Sequence, residues 1–205
     1  NSALELQPDN IRARLVLAAV YFKQQKHEDI ITLARALQKE QPQARVGYEL
    51  EGDVLVKMDR LKEASKLYAA AYEQGQSASL AEKLYQVRNK AGLSNAIDPL
   101  QQWVNNNPDD SSAKIMLAVA YQETGAVDKS INYYQKVLEK QPNNLVVLNN
   151  LAWLFNERND QRAISYAENA YQLAPKKVEI LDTYGWTLVN NGQLNKGLLI
   201  LQEAK

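Results

Sequence analysis

The sequence predicts an all-α fold, a solenoid of repeated helix-turn-helix hairpins, and three observations carry that expectation. Prolines recur with one period, amphipathic helical patterns come in pairs between them, and a glycine sits mid-helix where only close packing would justify it. Pro8, Pro42, Pro108, Pro142 and Pro175 are separated by 34, 66, 34 and 33 residues, and the long interval is twice 33. Most are followed by polar residues, in "PDN", "PDD", "PNN" and "PKK". Each proline therefore ends one helix, and its polar neighbours open the next turn. Gly75 falls midway across the long interval and acts as the breaker there.

In chain order, a partial unit at 1–10 precedes units at 11–44, 45–77, 78–110, 111–144, 145–177 and 178–205. The last stops short of its terminal proline, and one repeat domain spans 1–205. The unit at 111–144 displays the helical pair most openly. Its first half, "SSAKIMLAVAYQET", places Ile115, Leu117, Ala118 and Tyr121 on neighbouring turns before Gly125 breaks the pattern. Its second half, "VDKSINYYQKVLEKQ", spaces Ile131, Tyr134, Val137 and Leu138 along one helical face. Neither helix alone can bury such a stripe. Stacking successive pairs creates a continuous core.

The glycine lies in "LDTYGWTLVNNGQ" at 181–193, and nearly the same pattern occurs 33 residues earlier as "LNNLAWLFNERND" at 148–160. A helical glycine costs about 1 kcal/mol relative to alanine. Gly185 nevertheless separates Tyr184 from Trp186, and it occupies the slot held by Ala18, Gly52, Ala118 and Ala152 in other units.

These features resemble the tetratricopeptide repeat, a helical hairpin of about 34 residues. Leu117-Ala118, Tyr121, Ser130, Tyr134 and Pro142 fall at its spacing, as do Leu17-Ala18, Tyr21, Ile30, Ala34 and Pro42. Leu151-Ala152, Phe155, Ala163, Ala167, Ala170 and Pro175 follow, with one residue missing from the inner turn. Tyr184-Gly185, Leu188, Gly197, Leu201 and Ala204 come last. The resemblance covers essentially the whole chain and implies a right-handed α-α superhelix. It also implies that the Gly185 slot is where the two helices of a unit cross most closely. Gly185→Leu is therefore expected to cost roughly 1–3 kcal/mol through overpacking.

The unit at 78–110 departs from the pattern. Tyr85 or Gln86 fills the small-residue slot, Arg88 or Asn89 the aromatic one, and Trp103 stands where Ala170 and Ala204 stand elsewhere. Pro99 predicts a late second helix, with Asp98 as its cap and Pro99 in the first turn. Two readings stay open here: sequence drift, with Trp103 filling the gap, or a bend dividing the solenoid.

Composition narrows the function. The 205 residues carry 24 basic and 24 acidic side chains, which gives no basic excess for nucleic acid. No apolar run approaches the roughly 20 residues of a membrane span. Cysteine is absent, and His27 is the lone histidine, so neither a thiol nucleophile nor a zinc site of the usual type can be assembled. No Gly-rich phosphate loop or Gly-x-Ser-x-Gly elbow occurs. Carboxylates such as Glu28-Asp29 and Asp109-Asp110 stand at helix starts, where they complement the macrodipole. The sequence thus reads as a non-enzyme with no cofactor and no metal.

The tetratricopeptide resemblance implies a partner that is a protein or peptide segment, held on the concave face lined by the first helix of each unit. Carried onto this chain, the face-lining positions are Asn149, Trp153 and Asn156, then Asp182, Trp186 and Asn190, with Val189 beside them. Upstream they are Arg12, Leu15, Ala19, Phe22 and Lys23, then Glu49, Asp53 and Lys57. Trp153 and Trp186 share one slot in successive units, as an aromatic ladder flanked by amides or as indoles packed against the neighbouring unit. Tryptophan is enriched at binding hot spots. Tyr133, Tyr134, Tyr166 and Tyr171 read as core or second-helix surface. The basic clamp of chaperone-binding members is not reproduced.

Within that family, residues 148–175 and 178–204 resemble the C-terminal units of bacterial envelope arrays, including tetratricopeptide lipoproteins of PEP-CTERM protein sorting and exopolysaccharide production. This implies an interaction scaffold in a periplasmic or envelope setting, tethered by a lipid anchor upstream, in a chain that is an excerpt of a longer protein. A cytoplasmic setting stays open. So do a non-catalytic arm of a larger enzyme or secretion complex and a structural spacer or self-association module.

Overall fold

In the computed structural model, residues 11–204 are described, and the partial unit expected at 1–10 lies outside the described residues. Twelve α-helices follow one another among those residues. They are α1 (Ile11–Lys23), α2 (His27–Glu40), α3 (Arg45–Lys57), α4 (Leu61–Gln74), α5 (Ala78–Lys90) and α6 (Asp98–Asn106). After these come α7 (Ser111–Glu123), α8 (Val127–Lys140), α9 (Leu145–Glu157), α10 (Arg162–Leu173), α11 (Val178–Asn190) and α12 (Leu194–Glu203). Contacts group the chain into two compact units, one ending at Asn107 and the other starting at Pro108.

In both units each odd-numbered helix packs on the helix that follows it, as tetratricopeptide hairpins do. The turn inside every hairpin has one construction. Gln25, Asp59, Gly92, Gly125, Asn159 and Gly192 are all left-handed, with φ between 52° and 79°. The next residue's N–H then reaches back five residues, as in Lys26 to Tyr21 at 3.0 Å and Ala126 to Tyr121 at 2.8 Å. This is a Schellman ending, which satisfies carbonyls that the helix end would leave unpaired. Three hairpins supply glycine for the left-handed position, and three tolerate a side chain there. Several first helices also start on a side-chain cap. Ser77, Asp110 and Asn144 accept hydrogen bonds from the N–H groups of Leu80, Ala113 and Val147.

In the unit from Pro108 onward, the core lies between the helices of each pair and between successive pairs. Ile131, Tyr134 and Val137 of α8 meet Val147, Leu151, Leu154 and Phe155 of α9. One unit on, Ala152 and Ala167 meet Leu181, Tyr184 and Leu188 of α11 and Ile200 of α12. A small aromatic motif repeats with the hairpin. Tyr133 stacks on Tyr121, and Tyr166 stacks on Phe155. Lys129 lies over the Tyr121 ring just as Arg162 lies over that of Phe155.

The mid-helix glycine is explained by its neighbour across the hairpin. A Cβ on Gly185 would lie 2.6 Å from Leu201 Cγ, and one on Gly197 would lie 2.7 Å from the Gly185 carbonyl oxygen. Two glycines therefore face each other where α11 crosses α12. Packing at the crossing outweighs the lost helix propensity.

The unit ending at Asn107 contains the irregular hairpin. Tyr85 is buried and Gln86 exposed, which puts the tyrosine in the small-residue slot and Arg88 in the aromatic one. A bulky residue is accommodated because residues 94–97, which correspond to the first turn of other second helices, form turns and bends instead. Arg88 Nη1 donates to the Asn95 carbonyl and ties that segment down. Asp98 is the first residue of α6 rather than its cap; Ile97 holds the cap position with no side-chain bond, and Pro99 lies in the first turn. Trp103 is half-buried, and Val104 beside it is buried.

Candidate functional site

The first helices α9 and α11 are amphipathic with an apolar inner face. Leu148, Leu151, Ala152 and Phe155 of α9 are buried, as are Leu181, Tyr184, Gly185 and Leu188 of α11. The opposite stripe on each is left open, as helical periodicity requires. On α9 it carries Val146, Asn149, Trp153 and Glu157, and on α11 Glu179, Asp182, Trp186 and Asn190. The two helices pack side by side.

Both predicted indoles lie on that stripe and remain accessible, Trp153 at 39% and Trp186 at 47%. Large exposed apolar groups on adjacent helices form a surface suited to a partner. Val146, at 53%, extends it toward the start of α9; the sequence reading did not include this residue, although it sits one turn before Asn149. The predicted amides play unequal parts. Asn156 is buried, and its Oδ1 accepts a hydrogen bond from Nδ2 of exposed Asn190 at 3.2 Å, across 34 residues of sequence. That bond joins the two first helices directly. Asn149 is half-buried, and its Oδ1 is enclosed with no donor in the protein. Such an acceptor costs roughly 1–3 kcal/mol until a donor reaches it. Asp182 is exposed.

Beneath this surface the helices are held rigidly. Tyr134 is fully buried, and its hydroxyl accepts from Asn150 Nδ2 at 2.8 Å. Burial pushes its pKa up to about 12, so it stays a neutral partner across the working pH range. Tyr171 stacks on Tyr184 with centroids 4.8 Å apart. All four tyrosines named in the sequence reading are thus engaged in packing. Thr183 and Thr187, buried in α11, donate back to the carbonyls of Glu179 and Thr183.

The upstream positions are built differently. Arg12, Ala19 and Lys23 of α1 are exposed, with Leu15 at the same face, while Phe22 is half-buried. On α3, Glu49 and Asp53 are half-buried and Lys57 is exposed. Asp53 Oδ1 accepts from Lys83 Nζ at 2.7 Å and from the Tyr68 hydroxyl at 2.6 Å. Burial first, and Asp53 second, raise the Tyr68 pKa above its ordinary value. Lys83 thereby bridges α5 to α3, as Asn190 bridges α11 to α9. It lies 30 residues after Asp53, about one helical turn short of a full period, and that spacing was the signal available in the sequence. Here the charges satisfy one another. A cavity of about 150 Å³ beside them, lined by Val56, Leu61, Tyr68, Lys83, Gln86, Val87 and Lys90, is too small for a peptide.

No cluster of three or more His, Cys, Asp or Glu side chains suited to a metal ion occurs among the described residues. No helix among them is long and apolar enough to cross a membrane.

Residues 133–164, which run from α8 through α9 into α10, match the tetratricopeptide repeat family. The chain folds as a tetratricopeptide repeat array. YrrB, a tetratricopeptide protein described as having an unusual peptide-binding site, is 19% identical over 88% of this chain and 94% of its own, with a TM-score of 0.63. The MamA protein is 16% identical over 78% of this chain and 89% of its own, with a TM-score of 0.64. A second MamA structure, from AMB-1, is 21% identical over 78% and 89%, with a TM-score of 0.59. No curated protein matches the chain in sequence. At these identities the likeness establishes the fold of the array, and the surface of α9 and α11 must be read on its own chemistry.

Proposed function

We propose that the array is a non-catalytic interaction scaffold whose α9–α11 face holds an extended segment of a peptide or protein. One observation carries the reading. Two indoles at equivalent positions of adjacent first helices stay half-exposed, on helices locked together by the Asn190–Asn156 bond. A rigid, pre-formed aromatic surface loses little entropy on binding. YrrB, which shares the fold, is described as having a peptide-binding site, and this supports the class of ligand.

The test is affinity capture with the purified array, comparing the parent with a Trp153→Ala/Trp186→Ala variant. The variant is expected to keep its helical content and lose its partner. Equal recovery by a folded variant contradicts the reading. For the cellular setting, the proposal of an envelope scaffold rests on the resemblance of residues 148–204 to envelope arrays. A full-length sequence with a lipidated cysteine upstream supports it, and an appended catalytic domain favours the arm of a larger enzyme.

A further inference from the structure

We propose that the segment held on the α9–α11 face is cationic, carrying lysine or arginine between apolar side chains; this rests on the peptide-binding reading above. The open stripes of the two helices contain three carboxylates, Glu157, Glu179 and Asp182, and no basic residue. No ion pair among the described residues engages any of the three, although Lys176 and Lys177 stand just ahead of α11. Three other carboxylates of the same unit are paired, Asp109 with Lys140, Asp128 with Arg158 and Asp160 with Arg162, while Glu139, Glu168 and Glu203 on its second helices are not. What sets the α9 and α11 stripes apart is that their acid shares a face with two exposed indoles and with no base.

Local helix physics does not account for it. Glu157 stands in the last turn of α9, at the negative end of the macrodipole, and α9 carries no basic side chain there. Glu179 and Asp182 are three residues apart on one helix face, where like charges repel. Glu179 alone gains from its place in the first turn of α11. The indoles between these carboxylates offer ring faces that attract ammonium and guanidinium groups. Val146, Trp153 and Trp186 take the apolar side chains of the segment, and the carboxylates take its charges. The match to a basic segment is therefore both electrostatic and aromatic.

The experiment is selection of a displayed library of random peptides, about a dozen residues long, on the purified array. One enriched peptide is then titrated by isothermal calorimetry against the parent, a Glu179→Gln/Asp182→Asn variant and the Trp153→Ala/Trp186→Ala variant. Circular dichroism checks the fold of each. The expected pool is rich in Lys and Arg over Asp and Glu. Its affinity should fall about three- to tenfold in the carboxylate variant, as two exposed ion pairs would give, and should weaken with salt. A neutral or acidic pool that needs the tryptophans but ignores the carboxylate variant overturns this inference and leaves the peptide-binding reading intact. A pool whose binding ignores the tryptophan variant overturns both.

Discussion

Gly185 and Gly197 show how much a single hydrogen atom matters at a helix crossing. The Cβ that Gly185→Ala adds would meet the Gly197 carbonyl oxygen at 3.1 Å and, more closely, Leu201, a side chain that can swing aside. The one that Gly197→Ala adds would meet the Gly185 carbonyl oxygen and the Val189 backbone nitrogen, which cannot. Gly197→Ala is therefore expected to destabilise by about 1–3 kcal/mol despite its better helix propensity, and Gly185→Ala by less. Denaturant melts of the two variants measure the order, and the reverse order would contradict the packing described. A second residue-scale test concerns Asp160. Its side chain accepts from the Arg162 guanidinium and its Oδ1 also from the Arg162 N–H, and these bonds, the guanidinium first, pull its pKa down to about 2. The folded state thus favours the carboxylate. The stabilisation is complete above the ordinary pKa of 3.8 and is lost as the pH falls through that value toward 2. An NMR titration of Asp160 is expected to show the depressed midpoint, and Arg162→Ala to return it close to 3.8.

Each hairpin turn places one residue in the left-handed region, and the sequence reveals only half of these positions. Gly125 was readable as a breaker. Gln25, Asp59 and Asn159 hold the same conformation without glycine, because the Schellman bonds and the packed helices on either side impose it. Left-handed backbone costs a residue other than glycine roughly 1–2 kcal/mol. Gln25→Gly is therefore expected to raise stability by up to about 1 kcal/mol, and Gly125→Ala to lower it by about the same. Thermal melts that moved both variants in one direction would contradict the shared turn. The second helix of the irregular hairpin was legible in part. Pro99 announced its late start, but which residue filled the crossing was ambiguous by one. The ambiguity had a physical cause: a tyrosine can occupy a small-residue slot only once the opposing first turn is unwound, and local sequence does not report that unwinding. Trp103 keeps the place of Ala170 relative to the end of its helix, since each carbonyl accepts the N–H of the residue that closes the helix, but the buried side chain there is that of Val104.

For the whole molecule, periodicity is what made the fold readable. A 33- to 34-residue recurrence of small, aromatic and breaker residues has one physical solution, stacked hairpins, and the helices pair as that solution requires. The binding surface was less legible. Helical spacing alone could place Trp153 and Trp186 in one register. Whether an indole at that register faces solvent or packs into the next unit depends on the distance between hairpins, which the sequence does not state. The Asn190–Asn156 bond and the enclosure of the Asn149 oxygen depend on that distance too. The contrast with α3 and α5 is instructive: there Lys83 neutralises Asp53, whereas the carboxylates beside the indoles form no ion pair among the described residues. The account as a whole stands on the α9–α11 face being where a ligand sits. Its most direct measurement is the indole N–H spectrum of the array, recorded with and without a captured or selected peptide. Trp153 and Trp186 are predicted to shift together while Trp103, on α6, stays in place; binding that leaves the first two signals unmoved would contradict it.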